Sequence, residues 1–139
     1  MSYDELWKKI LRMSGLSQEE RPDDEELIKD MISDAVESFN INKTTSMDLI
    51  ECDNDSEEVF LDKKDKNYFT KIKILALYVK LNICRNNLEY MQNMYQYNLR
   101  EIEPKFYKDQ VSSRTATIKN IEKEIGQLFN NFRNWDYDY

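Results

Sequence analysis

The sequence predicts a mainly α-helical protein, a bundle of about four helices built around one long buried helix. The segment Tyr68–Cys84 is apolar on nearly every side, so it must be covered by the rest of the chain or by other subunits. Other stretches carry apolar residues at the three- and four-residue steps of amphipathic helices. The 139 residues include no histidine and only two glycines. Together these features indicate packing and assembly rather than chemistry.

The first predicted helix runs from about Tyr3 to Met13. It has one apolar face at helical spacing, formed by Leu6, Trp7, Ile10 and Leu11. Acidic residues lie in its first turn, basic residues come later, and Gly15 follows as a stop signal. This order suits the helix dipole and a C-terminal cap. We expect this short helix to dock on the core or on a partner.

The second predicted helix follows Pro22, which suits the first helical position. The next four residues, Asp23–Glu26, supply negative charge at the helix N-terminus, where the helix dipole favours it. An apolar stripe then predicts a core-facing side, formed by Leu27, Ile28, Met31, Ile32, Ala35, Val36 and Phe39. Asn40 and Asn42 are the candidate stop residues.

An acidic insertion occupies about residues 43–64, where helical periodicity fails. Two short apolar groups, around Leu49 and around Phe60, flank the acidic run Glu51–Glu58. A small β-hairpin around residues 47–61 fits this pattern, and so do an ordered excursion and a flexible loop.

The acidic run also has part of the pattern of a calcium-binding loop. Asp53, Asp55 and Glu57 occupy alternate positions, as ligands do at the start of such a loop. However, Glu58 replaces the glycine required at the sixth position, and Lys64 replaces the bidentate glutamate required at the twelfth. We therefore predict a solvated acidic turn and no metal site.

The third predicted helix is the long central one, from about Asp65, a candidate N-cap, to roughly Asn98. Its first part is apolar around most of its circumference, and its later part narrows to Leu88, Met91 and Tyr95 on one face. This taper predicts a helix that is buried first and then projects outward or toward a neighbour.

The last predicted helix follows a connection over Glu103–Val111, with Pro104 ending any continuation of the third helix. Ser112 or Ser113 is its expected N-cap. Its apolar residues alternate in three- and four-residue steps, typical of a coiled-coil seam, at Ile118, Ile121, Ile125, Leu128 and Phe132. We assign residues 1–134 to one helical domain and residues 135–139 to an aromatic and acidic C-terminal tail, which either docks into a groove elsewhere or folds back on its own core.

The charge of the chain is unevenly distributed. The net charge of −7 disfavours a general binder of nucleic acid or of anionic membranes. Ser17–Asp62 holds sixteen Asp and Glu against three Lys and Arg, whereas Lys63–Asn134 holds fourteen Lys and Arg against seven Asp and Glu. The two halves either meet within one fold or join neighbouring copies head to tail in a ring.

Signals for catalysis, for cofactors and for membranes are absent from the sequence. Histidine, the commonest general base and metal ligand, does not occur, and the two glycines are isolated, so no phosphate-binding loop is predicted. The apolar run Ile72–Ile83 is too short to span a bilayer, and Cys52 and Cys84 do not form a disulfide framework. We expect a non-enzymatic protein that is intracellular at synthesis, with reduced thiols.

The order of the helices resembles the head–tail connector (adaptor) proteins of tailed bacteriophages. Three parts of the chain carry the resemblance: the opening pair of helices, with Tyr3-Asp-Glu-Leu and Asp23–Phe39; the buried helix Ile72–Leu81; and the closing helix Ala116–Phe132. The likeness covers most of the chain as a pattern of helices. The acidic insertion and the long polar stretch Asn82–Asn98 depart from the compact form of that family.

The resemblance implies a mechanical role in the neck of the virion. The protein would form a homo-oligomeric ring, a dodecamer, beneath the portal protein. This ring would lengthen the channel through which packaged DNA passes without sequence-specific binding, and it would dock the next neck or tail protein. The C-terminal segment of this family often contacts the portal, which implies portal-binding roles for Arg133, Trp135, Tyr137 and Tyr139.

Three other functions are considered. A small acidic inhibitor or DNA mimic would use the acidic half to bind a basic surface of a host enzyme. A helical-bundle subunit of a cellular complex would share the same sequence features. An enzyme would need a carboxylate in an apolar pocket that raises its pKa, and no carboxylate of the sequence has an apolar context of that kind.

Overall fold

The computed structural model describes residues 1–43, 47–97 and 103–137, with side chains described for all of these except 97 and 132–137. In chain order, the elements are α1 (Tyr3–Ser14), a 3-10 turn (Gln18–Glu20), α2 (Glu25–Asn42), β1 (Glu51–Asp53), β2 (Glu58–Phe60), α3 (Tyr68–Tyr97) and α4 (Pro104–Tyr137). The predicted class, mainly helical with a small antiparallel hairpin, is confirmed.

Helix α1 forms where the sequence predicts it. The hydroxyl of Ser2 accepts the backbone N–H of Glu5 at 3.2 Å, which satisfies one of the free amides at the helix start. Gly15 ends the helix with φ +70°, in the left-handed region that glycine reaches most easily. The apolar face is fully buried at Leu6 and Ile10.

Helix α2 begins later than predicted, so the assignment of Pro22 to the first helical position is wrong. Asp24 is the N-cap, and its carboxylate accepts the backbone N–H of Glu26 at 3.0 Å. Before it, the 3-10 turn closes through a capping box between Ser17 and Glu20. Arg21 completes this turn, and two N–H groups of its guanidinium donate to the Leu16 carbonyl at 3.2 and 3.3 Å. Because these bonds hold the chain in the turn, helical geometry begins only after Pro22.

The acidic insertion forms a β-hairpin, the first of the three structures that its sequence allows. Strands β1 and β2 pair antiparallel with Cys52 opposite Val59, and Val59 is fully buried. The chain start extends this pairing, because the N–H of Val59 donates to the Met1 carbonyl and the N–H of Tyr3 donates to the Glu57 carbonyl, both at 2.8 Å. The hairpin is therefore part of the folded unit.

Helix α3 begins at Tyr68, so Asp65 is not its N-cap. The carboxylate of Asp65 accepts the N–H of Asn67 at 2.9 Å, and its carbonyl accepts the N–H of Tyr68 at 3.0 Å. These bonds form a turn that precedes the helix. Buried residues surround α3 through its first half, namely Ile72, Ile74, Leu75, Ala76, Leu77, Tyr78, Val79, Leu81 and Ile83.

Helix α4 begins at Pro104, so the predicted connection over Glu103–Val111 and the caps at Ser112 and Ser113 are wrong. Proline suits the first helical position because that residue needs no intrahelical N–H bond and its φ is already helical. The first turn closes when the N–H of Tyr107 donates to the Glu103 carbonyl at 3.0 Å. Of the predicted seam of α4, Ile118, Ile121 and Ile125 are buried and Leu128 is partly buried, whereas the side chain of Phe132 lies outside the described residues. Phe129, which the predicted seam omits, is also buried.

The core lies where α1, α2 and α4 all pack against α3. Phe39 of α2 meets Phe129 of α4 with ring centroids 5.5 Å apart. Beyond this core, α3 and α4 continue side by side, α3 over Asn87–Tyr97 and α4 over Pro104–Thr117. No described side chain in these two stretches is fully buried. We call this pair the arm. Its burial agrees with the predicted taper of the long helix.

Candidate interaction surfaces

The described residues present apolar and charged surfaces. Within 1–43, 47–97 and 103–137, no three His, Cys, Asp or Glu side chains lie close enough together to hold a metal ion. In the same ranges, no helix is both long enough and apolar enough to cross a membrane. Cys52 and Cys84 are free and half-buried, and burial raises the pKa of the Cys84 thiol.

The predicted portal-binding residues belong to the end of α4. The helical backbone continues to Tyr137, so Arg133, Trp135 and Tyr137 are positions in its last turns. Their side chains lie outside the described part of the structure, and Tyr139 lies beyond the described residues altogether. A portal-binding role for these four residues stays a prediction.

A first apolar surface lies on the arm, in a groove of about 470 Å³ between α3 and α4. We call it the arm groove; it is lined by Asn87, Tyr90, Met91, Met94, Phe106, Tyr107, Gln110 and Arg114. Tyr90 and Phe106 are 66% and 57% exposed, large fractions for aromatic side chains on a folded surface. Sequence reasoning missed this surface because it assigned Phe106 and Tyr107 to a connection.

A second apolar surface lies between α2 and the hairpin, in a groove of about 620 Å³. We call it the hairpin groove; it is lined by Ser33, Val36, Glu37, Asn40, Ile41, Leu49, Ile50, Glu51, Cys52 and Phe60. Ile41 is 72% exposed and Leu49 is 60% exposed. Val59 of β2 is buried and Phe60 is exposed. Successive side chains of a strand point to opposite faces, so two adjacent apolar residues in a predicted strand are the signal that could have placed one of them on a surface.

Two hydrogen bonds fix the wall of the hairpin groove to α2. The side-chain amide of Asn40 donates to the Ile50 carbonyl, and its oxygen accepts the N–H of Ile50, both at 2.9 Å. Asn40, predicted only as a stop residue, therefore pairs like a strand residue with the segment that enters the hairpin. This pairing holds Leu49, next to Ile50, at the edge of the groove.

The acidic half of the chain keeps its charge at the surface. All sixteen carboxylate side chains between Ser17 and Asp62 are exposed. Among the described residues, the ion pairs Lys29–Glu57, Lys71–Asp65 and Arg85–Glu122 each join two groups from the same half. None of these three pairs links the acidic half to the basic half.

The turn of the hairpin is an acidic, hydrogen-bonded structure. The carboxylate of Asp53 accepts the backbone N–H of Asp55 at 2.9 Å and that of Ser56 at 3.5 Å, and these bonds hold its pKa below the ordinary value. Glu57 adopts φ +55°, which closes the turn. The hydroxyl of Tyr3 donates to Asn54, and burial raises the Tyr3 pKa.

One comparison with known proteins gives a match. A family model described as YomZ prophage protein matches residues 1–133, nearly the whole chain. No curated protein and no solved structure matches the chain.

Proposed function

The chain belongs to the YomZ prophage protein family and is thus phage-derived; from this premise we propose that it is a structural protein of the virion, a head–tail adaptor. In this proposal it forms a ring beneath the portal, extends the DNA channel and docks the next neck or tail protein. The role is mechanical and uses no cofactor. The protein is made in the host cytoplasm and ends in the neck of the particle.

The observation that carries this proposal is the pair of exposed apolar grooves on one small helical bundle. No described residue lines both the arm groove and the hairpin groove. A subunit of a closed ring meets one neighbour on each side and therefore needs two different, complementary surfaces. Apolar grooves that stay exposed in a single chain are typical of surfaces that a partner covers.

The contact with the portal is assigned to the end of α4 in this proposal. Arg133, Trp135, Tyr137 and Tyr139 combine aromatic side chains with a cation, the residue types enriched where a few side chains dominate binding. Packaged DNA would pass through the ring without sequence-specific contacts. The exposed acidic surface suits a channel that must not retain DNA, because like charges repel.

The first experiment measures whether the protein is part of the particle. Particles induced from the prophage that encodes the chain are purified by density, and mass spectrometry gives its copy number relative to the portal protein. About one copy per portal subunit is the expected result. Absence from particles, in cells that express the protein, would exclude the adaptor.

A second experiment tests the portal contact. The double variant Trp135→Ala/Tyr137→Ala is expected to lose co-purification with the portal protein, whereas Phe69→Ala, an exposed aromatic at the start of α3, keeps it. Equal recovery of both variants with the portal would refute the assignment of the C-terminal residues.

The sixteen exposed carboxylates favour one alternative, a small acidic inhibitor that imitates the phosphate backbone of DNA. Such a protein would bind a basic surface of a host enzyme through its field of negative charge. Reversing Asp23–Glu26 to lysine would then abolish its activity, whereas an adaptor that contacts its partners through apolar grooves would still be incorporated into particles. Incorporation of this charge-reversed variant therefore separates the two functions.

A further inference from the structure

We propose that the arm groove of one copy binds the hairpin groove of a second copy, so that the chain assembles head to tail. The inference deepens the proposed function, since it names the contact between subunits that a ring requires. It is tested on the purified protein alone, so its outcome does not depend on whether the protein binds a portal.

The two grooves match in polarity. Each is dominated by large apolar side chains that a single copy leaves exposed: Tyr90, Met94 and Phe106 at the arm groove and Ile41, Leu49 and Phe60 at the hairpin groove. The side chains of Leu49 and Phe60 stand at an edge formed by a strand and a loop. In the proposed contact, these two exposed side chains insert between α3 and α4 at the arm groove.

The two grooves also match in charge. Arg114 is the charged side chain that lines the arm groove, whereas Glu37 and Glu51 line the hairpin groove. All three are exposed. A groove with a cation and a groove with two carboxylates attract each other. Two arm grooves, or two hairpin grooves, would instead bring like charges together in a symmetric pair. This charge arrangement identifies the occupant as the other groove on a second copy.

The two grooves are not in contact within one copy, because their large apolar side chains are exposed in the single chain. The arm groove is formed by α3 and α4 beyond the core, and the hairpin groove is formed by α2 and the hairpin. The two helices of the arm contact each other, with Tyr95 stacked on Tyr107 at a centroid distance of 3.7 Å. Each copy therefore presents one surface of each kind, and the contact is heterologous and continues from copy to copy.

Complementation of two variants tests the contact. An arm variant, Tyr90→Ser/Phe106→Ser, and a hairpin variant, Leu49→Ser/Phe60→Ser, change only exposed side chains, and their folding is checked by circular dichroism. In analytical ultracentrifugation we expect wild-type protein to form species larger than dimers as its concentration rises. Each variant alone should be monomeric, and an equimolar mixture should form a 1:1 dimer, because one intact groove of each kind remains.

Charge reversal gives a second, independent test. Arg114→Glu should weaken self-association about tenfold or more, since it places like charges at the contact, and Glu37→Arg/Glu51→Arg should weaken it similarly. Mixing the two reversed proteins should restore association. Phe69→Ser serves as the matched control, because Phe69 is 67% exposed but lines neither groove, and it should assemble as wild-type protein does.

Three results would overturn the inference. Wild-type protein that stays monomeric at millimolar concentration has no such contact. Variants that still assemble use other surfaces. A mixture of the arm and hairpin variants that stays monomeric, while wild-type protein assembles, shows that the two grooves do not bind each other. Each of these results is compatible with the presence of the protein in particles, so the adaptor proposal is judged separately.

Discussion

The ring of Tyr95 on α3 stacks on the ring of Tyr107 on α4, with centroids 3.7 Å apart and planes inclined by only 9°. The two residues are in the arm, where no other element among the described residues buries a side chain of the helix pair. Both side chains are half-buried. In this part of the arm, the contact between these two rings therefore supplies much of the packing between α3 and α4. The stack joins α4 to α3 one turn after Pro104, well before the apolar seam of α4 begins.

We predict that Tyr107→Ala loosens the arm without unfolding the core. Stacked aromatic pairs contribute about 0.5–1.5 kcal/mol beyond the burial of their surfaces, and a double-mutant cycle with Tyr95→Ala should recover a coupling energy of that size. Hydrogen exchange of the amides in Asn87–Tyr97 should accelerate, while exchange in the first half of α3 stays slow. Additive effects of the two substitutions would mean that the stack does not stabilise the arm.

The core should be most sensitive where α2 meets α4. Phe39 is fully buried and packs against Phe129, so Phe39→Ala removes buried contacts and leaves a cavity. We expect a loss of about 3–5 kcal/mol in the free energy of unfolding, measured by urea denaturation. Phe69→Ala, at an exposed site, should change it by less than about 0.5 kcal/mol. Similar values for the two variants would contradict the packing described.

The pairing of Asn40 with Ile50 should control the hairpin groove. Asn40→Asp removes the donor and places a carboxylate beside the Ile50 carbonyl, so we expect a loss of about 1–3 kcal/mol, the penalty of an unmade buried hydrogen bond. The N–H of Ile50 should exchange faster in Asn40→Ala. Asn42→Ala is the control, because the Asn42 side chain is exposed and donates to the Ser38 carbonyl in its own helix rather than to Ile50. Unchanged exchange at Ile50 in Asn40→Ala would show that these two bonds are dispensable.

The two glycines should respond to alanine in opposite directions. Gly15→Ala should destabilise the protein by about 1 kcal/mol, because φ +70° strains any residue with a Cβ atom, although the nearest side-chain atom, Lys80 Nζ, is 3.9 Å from the new Cβ. Gly126→Ala should stabilise it by about 0.5–1 kcal/mol, since Gly126 is inside α4 with nothing within 4 Å of an added Cβ. Thermal unfolding of the two variants checks both signs, and a gain from Gly15→Ala would contradict the left-handed cap.

The sequence predicts the core of this fold better than its surfaces. A buried stripe leaves a periodic pattern, and five of the seven residues in the predicted stripe of α2 are buried, namely Met31, Ile32, Ala35, Val36 and Phe39. The other two lie toward the helix start, and Leu27 is 43% exposed. Periodicity identifies the apolar face of the helix. How many turns of that face are buried depends on where the neighbouring helices begin and end.

The arm and the two grooves could not be read from periodicity, because they depend on tertiary contacts. In the arm, each helix packs against one partner helix instead of a core, so residues 103–111 carry too few apolar positions to predict a helix. Pro104 adds an ambiguity, because a proline can end one helix or begin the next. The hairpin groove combines Ile41, Leu49 and Phe60 from three parts of the chain. Each is an ordinary apolar residue in the sequence, and only the fold places them on one surface.

The turn before α3 should give the protein part of its acid sensitivity. Burial alone would raise the pKa of Asp65, but the hydrogen bond from Lys71, the N–H of Asn67 and nearby positive charge lower it below its ordinary value. A carboxyl whose pKa is lower in the folded state contributes its stability in full above its unfolded pKa of about 3.9 and loses it as the pH falls toward the folded value. We therefore expect Asp65→Asn to be less stable than wild-type protein at neutral pH, with a difference that shrinks as the pH falls below about 4. Asp62→Asn, an exposed residue three positions earlier, is the control. Urea denaturation of the three proteins at several pH values measures this, and a difference between Asp65→Asn and wild type that stays constant in acid would show that Asp65 stabilises the turn without its charge.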